Sequence, residues 1–197
     1  MACSSKEDRS DVHGRLCLVF IYFRLVVQIM GFKKTSDLIA VSFGVAETGA
    51  NTYTQEEIAL QLDVLNNEIF VVLAVDLNCS PPDAVAGADS NVQAALTSTT
   101  QTAMTFLDNT NTVATTERTI RAAGFADAGV GFSHFSGETP SGDIDYIALI
   151  ATNNFFVSCK GTGNGGAKSV AGRMWGYRAR ADASTYAALV QSEVLSA

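Results

Sequence analysis

The sequence predicts an all-β fold, an antiparallel sandwich of two sheets, on three observations. Between Asp37 and Asp182, about eight short runs alternate apolar with polar or small residues, the period of a half-buried strand. Asn-Asn pairs, a Pro-Pro pair and a glycine-rich stretch separate these runs, and such residues make turns. Only one internal stretch, Thr116–Ala123, carries a helical pattern. The strand count suits a jelly roll, which has about eight strands in two sheets. An immunoglobulin-like order, with roughly seven or nine, is the second choice.

Leu38–Val45 is the first strand, with Ile39, Val41, Phe43 and Val45 on one side. Residues 46–51 turn the chain. Tyr53–Val64 is the second strand and has the cleanest alternation, because Ile58, Leu60, Leu62 and Val64 point one way. Asn66-Asn67 makes a tight turn, since asparagine tolerates left-handed backbone angles. Ile69–Leu77 follows and is apolar on both faces until Asp76, as expected of a strand covered on both sides. The Asn-Asn turn thus predicts a hairpin between these two strands. Ser80-Pro81-Pro82-Asp83 ends the third strand, because proline cannot donate to a ladder.

Val92–Phe106 is rich in threonine, whose β-branch favours strands. Thr116–Ala123 reads as a short helix, with Glu117 and Arg121 one turn apart and Gly124 as its C-terminal cap. Gly129–Phe135 is a strand. Ile144–Ala151 and Phe155–Lys160 flank Asn153-Asn154 and predict a second hairpin. Gly161–Gly166 is a flexible loop. Val170–Ala181 is a long strand with Trp175, Tyr177 and Ala179 on one face and Met174, Arg178 and Arg180 on the other. Ala183–Leu195 closes the chain as an amphipathic helix capped by Asp182 or Ser184. Its apolar stripe is Tyr186, Leu189, Val190 and Val194.

Two segments make up the chain: residues 1–30, and a single sandwich domain with its C-terminal helix over residues 31–197. Leu16–Phe23 is an unbroken apolar run, and Arg24 interrupts it. A membrane span needs about 20 apolar residues, so this run is too short. Three readings fit residues 1–30: a signal-like or anchoring segment, an apolar arm that docks on a partner, and an over-extended start upstream of Met30-Gly31-Phe32. In the arm reading, Leu16, Val19, Phe20 and Phe23 are contact residues, as are Tyr186, Leu189 and Val190 of the C-terminal helix.

Charged residues are 17% of the 197, low against about 25% in an ordinary domain. Much of the surface is therefore Ser, Thr, Asn and Gly, or is covered by neighbours. Residues 31–197 carry nine basic and seventeen acidic side chains, with no basic run. Gripping phosphates needs a clustered positive face, so direct nucleic-acid binding is not expected. Arg173, Arg178 and Arg180 come nearest to one and read as a solvated strand face.

The candidate chemistry is sparse. Gly161-Thr162-Gly163-Asn164-Gly165-Gly166 matches the dinucleotide fingerprint, but a helix must open after it and Lys168–Ala181 reads as strand. It is taken as a glycine-rich hairpin loop. Asp143 and Asp145 would face one side of an extended segment and are the only calcium candidates. His134 has no nucleophile and orienting partner in sequence, and no serine lies in a Gly-x-Ser-x-Gly elbow. Cys3, Cys17, Cys79 and Cys159 lack zinc-site spacing. Cys79 and Cys159 are either one disulfide or two free cysteines, one or both of them buried. Asn78-Cys79-Ser80 has the form of a glycosylation sequon. Trp175 and Tyr177 are either core or a sugar-stacking pair. No catalytic residue and no cofactor is named.

The succession Tyr53–Leu77, the pair Ile144–Lys160, the loop 161–166 and the long strand Val170–Ala181 resemble the single jelly-roll coat proteins of small icosahedral viruses and phages. The resemblance covers most of residues 37–182. It implies a self-assembling, non-enzymatic coat subunit of a virion whose partners are other copies of itself. Coat proteins of the plant-virus type carry a basic N-terminal arm, which this chain lacks. That departure fits capsids that enclose a membrane, so a membrane or a second structural protein joins the expected partners. Two alternatives stand beside it. One is a subunit of an extracellular filament or pilus at the cell surface, completing a neighbour's sheet. The other is a carbohydrate-binding β-sandwich module using Trp175, Tyr177, Asp143 and Asp145.

Overall fold

Two long strands anchor the first sheet because their sequences can be buried on both sides. They are Glu68–Cys79 and Ser169–Ala181. The computed structural model describes residues 31–122, 131–136 and 144–195, the middle stretch by its backbone alone. In chain order the described strands are β1 (Phe32–Lys34), β2 (Ile39–Ala46), β3 (Thr54–Ala59), β4 (Glu68–Cys79), β5 (Ser90–Thr97), β6 (Thr112–Arg121), β7 (Gly131–Ser136), β8 (Ala148–Ile150), β9 (Asn154–Thr162) and β10 (Ser169–Ala181). The helix α1 (Ala183–Leu195) follows. The fold is an all-β sandwich of two antiparallel sheets with a C-terminal helix.

The first sheet runs β2-β10-β4-β8, and β1 lies beside β2 along the same edge of β10. The second runs β3-β9-β5-β6-β7. Pairing goes outside-in: β2 with β10, β3 with β9, β4 with β8, β5 with β6. The ladders β10–β4 and β9–β5 then join these pairs into sheets. A long hairpin rolled into two sheets gives this order, so the eight-stranded jelly roll is met, with β1 and β7 as additions.

The core lies between the sheets. Phe43, Phe70, Val72, Leu96, Phe155, Val157 and Met174 are all buried there. Phe43 and Phe155 meet edge to face across it, with centroids 5.5 Å apart. A second cluster covers the outer face of the first sheet: Ile69, Val71, Ala179 and Ala181 beneath Tyr186, Leu189 and Val190 of α1. This explains the double-sided burial of β4. Residues 69–72 are buried on both faces, whereas beyond them Leu77 and Cys79 alternate with exposed Asp76 and Asn78. The helix reaches only the first half of the strand. At the boundary the ladder slips, leaving Leu73 without a register partner opposite Trp175 and Gly176.

Several expectations are corrected. The expected helix Thr116–Ala123 is not formed over its described residues, because residues 112–121 form β6, paired on both edges, and Ala123 lies outside the described residues. One Glu–Arg pair at helical spacing stabilises by only about 0.5 kcal/mol, far less than two ladders of backbone hydrogen bonds. Among the described residues, the internal helical piece is instead the 3-10 turn Val64–Asn66. The second strand stops at Ala59, and Gln61 turns left-handed (φ 53°). Leu60 and Leu62 stay buried, but Val64 is exposed. The Thr-rich run ends its pairing at Thr97, short of Phe106, and β8 keeps only three of the residues of Ile144–Ala151.

Neither Asn-Asn turn makes a hairpin. β3 and β4 lie in different sheets, as do β8 and β9. Asn67 does adopt the left-handed angle (φ 53°) and donates its N–H to Val64 O at 3.2 Å. Turn chemistry fixes a reversal, but it does not choose the sheet that the next strand joins.

β10 approaches the core without side chains at two points. A methyl group on Gly172 would meet the Phe43 ring, and one on Gly176 would overlap the Phe70 ring and the Val71 carbonyl. Gly176→Ala is expected to lower the unfolding free energy by about 3 kcal/mol, the upper range for overpacking. Gly166→Ala, which meets open space, is expected to leave it unchanged. Urea unfolding followed by far-ultraviolet circular dichroism measures both.

Candidate functional site

At one end of the sandwich, three connections are knotted together by polar side chains. They are β2–β3 (residues 47–53), β4–β5 (80–89) and β9–β10 (163–168). Glu47 is buried, and its two carboxylate oxygens accept the Gly161 N–H at 2.6 Å and the Lys168 N–H at 2.8 Å. Asn164, also buried, is the hub. Its N–H donates to Asn51 Oδ1 (2.9 Å), and its carbonyl accepts from Asn51 Nδ2 (2.8 Å). Its Oδ1 accepts the Asp83 N–H (2.9 Å), and its Nδ2 donates to Asn91 O (2.8 Å) and Thr162 O (3.2 Å). The Asp83 carboxylate accepts from Lys168 Nζ at 2.6 Å and from the Gly165 N–H at 2.9 Å. Those bonds, Lys168 first, hold its pKa below the ordinary value.

This geometry answers the Gly-x-Gly-x-x-Gly match. The amides of Gly161, Asn164, Gly165 and Lys168 all donate to protein oxygens, so the loop does not offer them to a phosphate. The stretch is also not a hairpin loop, and its backbone is tied to Glu47, Asn51 and Asp83. It crosses from the second sheet to the first, with Gly163 at φ 70° where the backbone passes Asp89.

Large apolar side chains are exposed on segments outside this knot, beside polar residues such as Asp63 and Asn66. Val64 and Leu65 on the β3–β4 turn, Phe106 and Leu107 on the β5–β6 connection, and Val194 and Leu195 at the end of α1 are exposed, Leu65 by 95%. The turn is held in place by Ala181, whose N–H donates to Asn67 O at 3.0 Å.

No protein-family model and no curated protein matches this chain.

The contact residues expected in the sequence separate into two groups. Leu16, Val19, Phe20 and Phe23, with residues 1–30 as a whole, lie outside the described residues. Tyr186, Leu189 and Val190 lie against the chain's own first sheet. The fourth position of their stripe is Glu193, buried, not Val194, which is 65% exposed. Spacing decides this: Glu193 is seven residues, close to two full turns, beyond Tyr186. Asp182 is the cap: its Oδ1 accepts the Thr185 N–H at 2.8 Å, and bonds from Ser184 and Thr185 bring its pKa down to about 2.

Asp143 lies outside the described residues and Asp145 is exposed, and no cluster of three or more His, Cys, Asp or Glu occurs among the described residues. His134 sits in β7 opposite Arg118 in register, and its side chain is outside the description, as is all of His13. Trp175 and Tyr177 share the outer face of the first sheet but differ in setting. Tyr177 packs into the cluster beside α1, with Lys34 Nζ 4.9 Å from its ring centre. Trp175 stands outside that cluster under the Arg173 guanidinium, 6.0 Å away.

The three arginines make no common patch. Arg178 Nη2 donates to Leu60 O at 3.1 Å, and its Nη1 lies 3.9 Å from Glu68, whereas Arg173 Nε donates to Ser42 Oγ. Asn78 is exposed and accepts from Arg118 Nη2. No helix of the described residues is long and apolar enough to cross a membrane.

The network of Glu47, Asn51, Asp83 and Asn164 was not singled out from sequence. Its faint signal was an Asn inside a glycine-rich loop with acids at two other turns. Cys79 and Cys159 are free thiols on the inner faces of facing sheets. Burial pushes each up to about 12; Glu117 adds to this at Cys79, and Cys79 and Glu47 add to it at Cys159.

Asn164→Ala leaves the Asp83 N–H and the Asn91 carbonyl without their partner. It is expected to lower stability by about 2 to 3 kcal/mol in chemical denaturation. In the folded protein, Cys79 and Cys159 are expected to resist iodoacetamide at neutral pH and to react fully in denaturant. Peptide mass mapping separates them from Cys3 and Cys17.

Proposed function

We propose that this chain is a self-assembling structural subunit, and specifically the coat subunit of a virion. The observation that carries the reading is the strand order, because jelly rolls with this pairing build viral capsids as well as lectin-like and cupin domains. A fold alone does not assign a function, so the surface must choose among these. The surface favours assembly. Large apolar side chains are exposed on three separate segments. The knotted end is locked into a fixed shape by buried carboxylate and amide bonds. Subunit contacts need apolar surface of fixed shape and few desolvated charges, and this chain is only 17% charged.

In this reading the partners are other copies of the chain, with a membrane or a second structural protein as further contacts. The subunit is not an enzyme and does not hold nucleic acid itself. Sedimentation velocity and negative-stain imaging of the purified protein are expected to show closed shells. A clean monomer at high concentration would overturn the proposal, and open fibres would move it to an extracellular filament. Leu65→Asp and Leu107→Asp are each expected to raise the concentration needed for assembly about tenfold, the effect of losing ~1.4 kcal/mol per contact.

A further inference from the structure

The apolar stripe of α1 contains one carboxylate. Glu193 lies on the helix face that also carries Tyr186, Leu189 and Val190, and only 7% of it is exposed. Its Oε1 accepts the Ala151 N–H at 3.0 Å, where β8 leaves the first sheet. Its Oε2 is buried without a hydrogen bond of full geometry, and the Thr152 side chain and backbone N–H lie close enough to favour the charged form in part. Tyr186, two turns earlier, donates its hydroxyl to Ala151 O at 3.4 Å. α1 is therefore fixed to the β8–β9 connection by two polar contacts at one residue, from Tyr186 in its first turn and from Glu193 in its last, and the second comes from a carboxyl that can ionise.

We propose that Glu193 makes α1 a proton-dependent latch, seated on the first sheet when the carboxyl is neutral and loosened when it ionises. The geometry gives the reason. A neutral carboxyl can accept from Ala151 and turn its proton toward the Thr152 hydroxyl oxygen. A carboxylate would bury a charge with one well-formed hydrogen bond, from Ala151, and only the weaker contacts of Thr152 beside it, which costs more than a neutral group.

The groups that face it do not supply a compensating charge. From α1 the facing titratable group is Tyr186, which is neutral and whose own pKa is raised by burial and then by Glu193. From the β8–β9 connection the neighbours are Ala151 and Thr152. The sheet positions beneath the helix are Ile69, Val71, Ala179 and Ala181. Burial raises the Glu193 pKa, and the contacts from Ala151 and Thr152 pull it back only in part.

The sign follows from linkage. An acid with a raised folded-state pKa contributes stability that is full below its unfolded pKa and is lost as pH rises through the folded one. Loosening α1 would uncover the apolar patch of Ile69, Val71, Ala179 and Ala181. The latch stands on these contacts alone and does not depend on the coat reading.

Hydrogen exchange by mass spectrometry on the full chain tests it, with rates corrected for intrinsic pH dependence. Protection of residues 183–195 is expected to fall as pH rises from about 4 to about 8, by no more than about tenfold per unit for one proton. Protection of β10 should hold level over the same range. In Glu193→Gln the fall is expected to vanish, and Glu193→Met provides the same test should the Gln variant fold poorly. Constant protection of α1 in the wild-type chain would overturn the latch. So would a fall that persists in the variants, or one that β10 follows in step.

Discussion

β4 and β10 lie side by side over almost their whole length, and nearly every other element is placed by that ladder. Its strands are long enough to carry two packing tasks in sequence. Near the α1 end, Ile69 and Val71 face the helix while Phe70 and Val72 face the core. Toward the other end only the inner face is buried, and Asp76 and Asn78 meet solvent. The inner edge of the ladder needs room for the Phe43 and Phe70 rings. Glycines at 172 and 176 provide it, because any side chain there would occupy the same volume. The slip at Leu73 falls where the strand passes from one task to the other.

One end of the sandwich is closed by directed hydrogen bonds, with carboxylates and an amide side chain accepting backbone N–H groups that a loop would otherwise leave bare. Such bonds fix shape, because each acceptor meets its donor in one geometry only. Outside that end, the β3–β4 connection closes on a 3-10 turn, and large apolar side chains stand in solvent.

Some of this was legible in the chain. Alternation at Ile39–Val45 and along Val170–Ala181 gave strands within a residue or so of those found. The helix over residues 183–195 followed from spacing, with Asp182 or Ser184 as its cap, and the structure decides for Asp182. The candidate site was much less legible. Asn164, Glu47 and Asp83 are far apart in sequence, and nothing local marks them as partners. Glu193 was missed for a simpler reason. A charged residue is discounted when an apolar stripe is read, although its position two turns from Tyr186 placed it on that face.

What the sequence by itself determined is the set of local choices: strand where residues alternate, helix where the period lengthens, reversal where Asn or Pro stands. These depend on neighbours within a few positions, and a chain carries that information directly. Only the tertiary structure decided which strands share a sheet, that Thr112–Arg121 is strand, and that both Asn-Asn turns cross between sheets. It also decided that an amphipathic helix lies on its own sheet, over the half of β4 that was already apolar on both faces. Those outcomes depend on burial against distant partners, and one apolar face looks the same in sequence whichever surface comes to cover it.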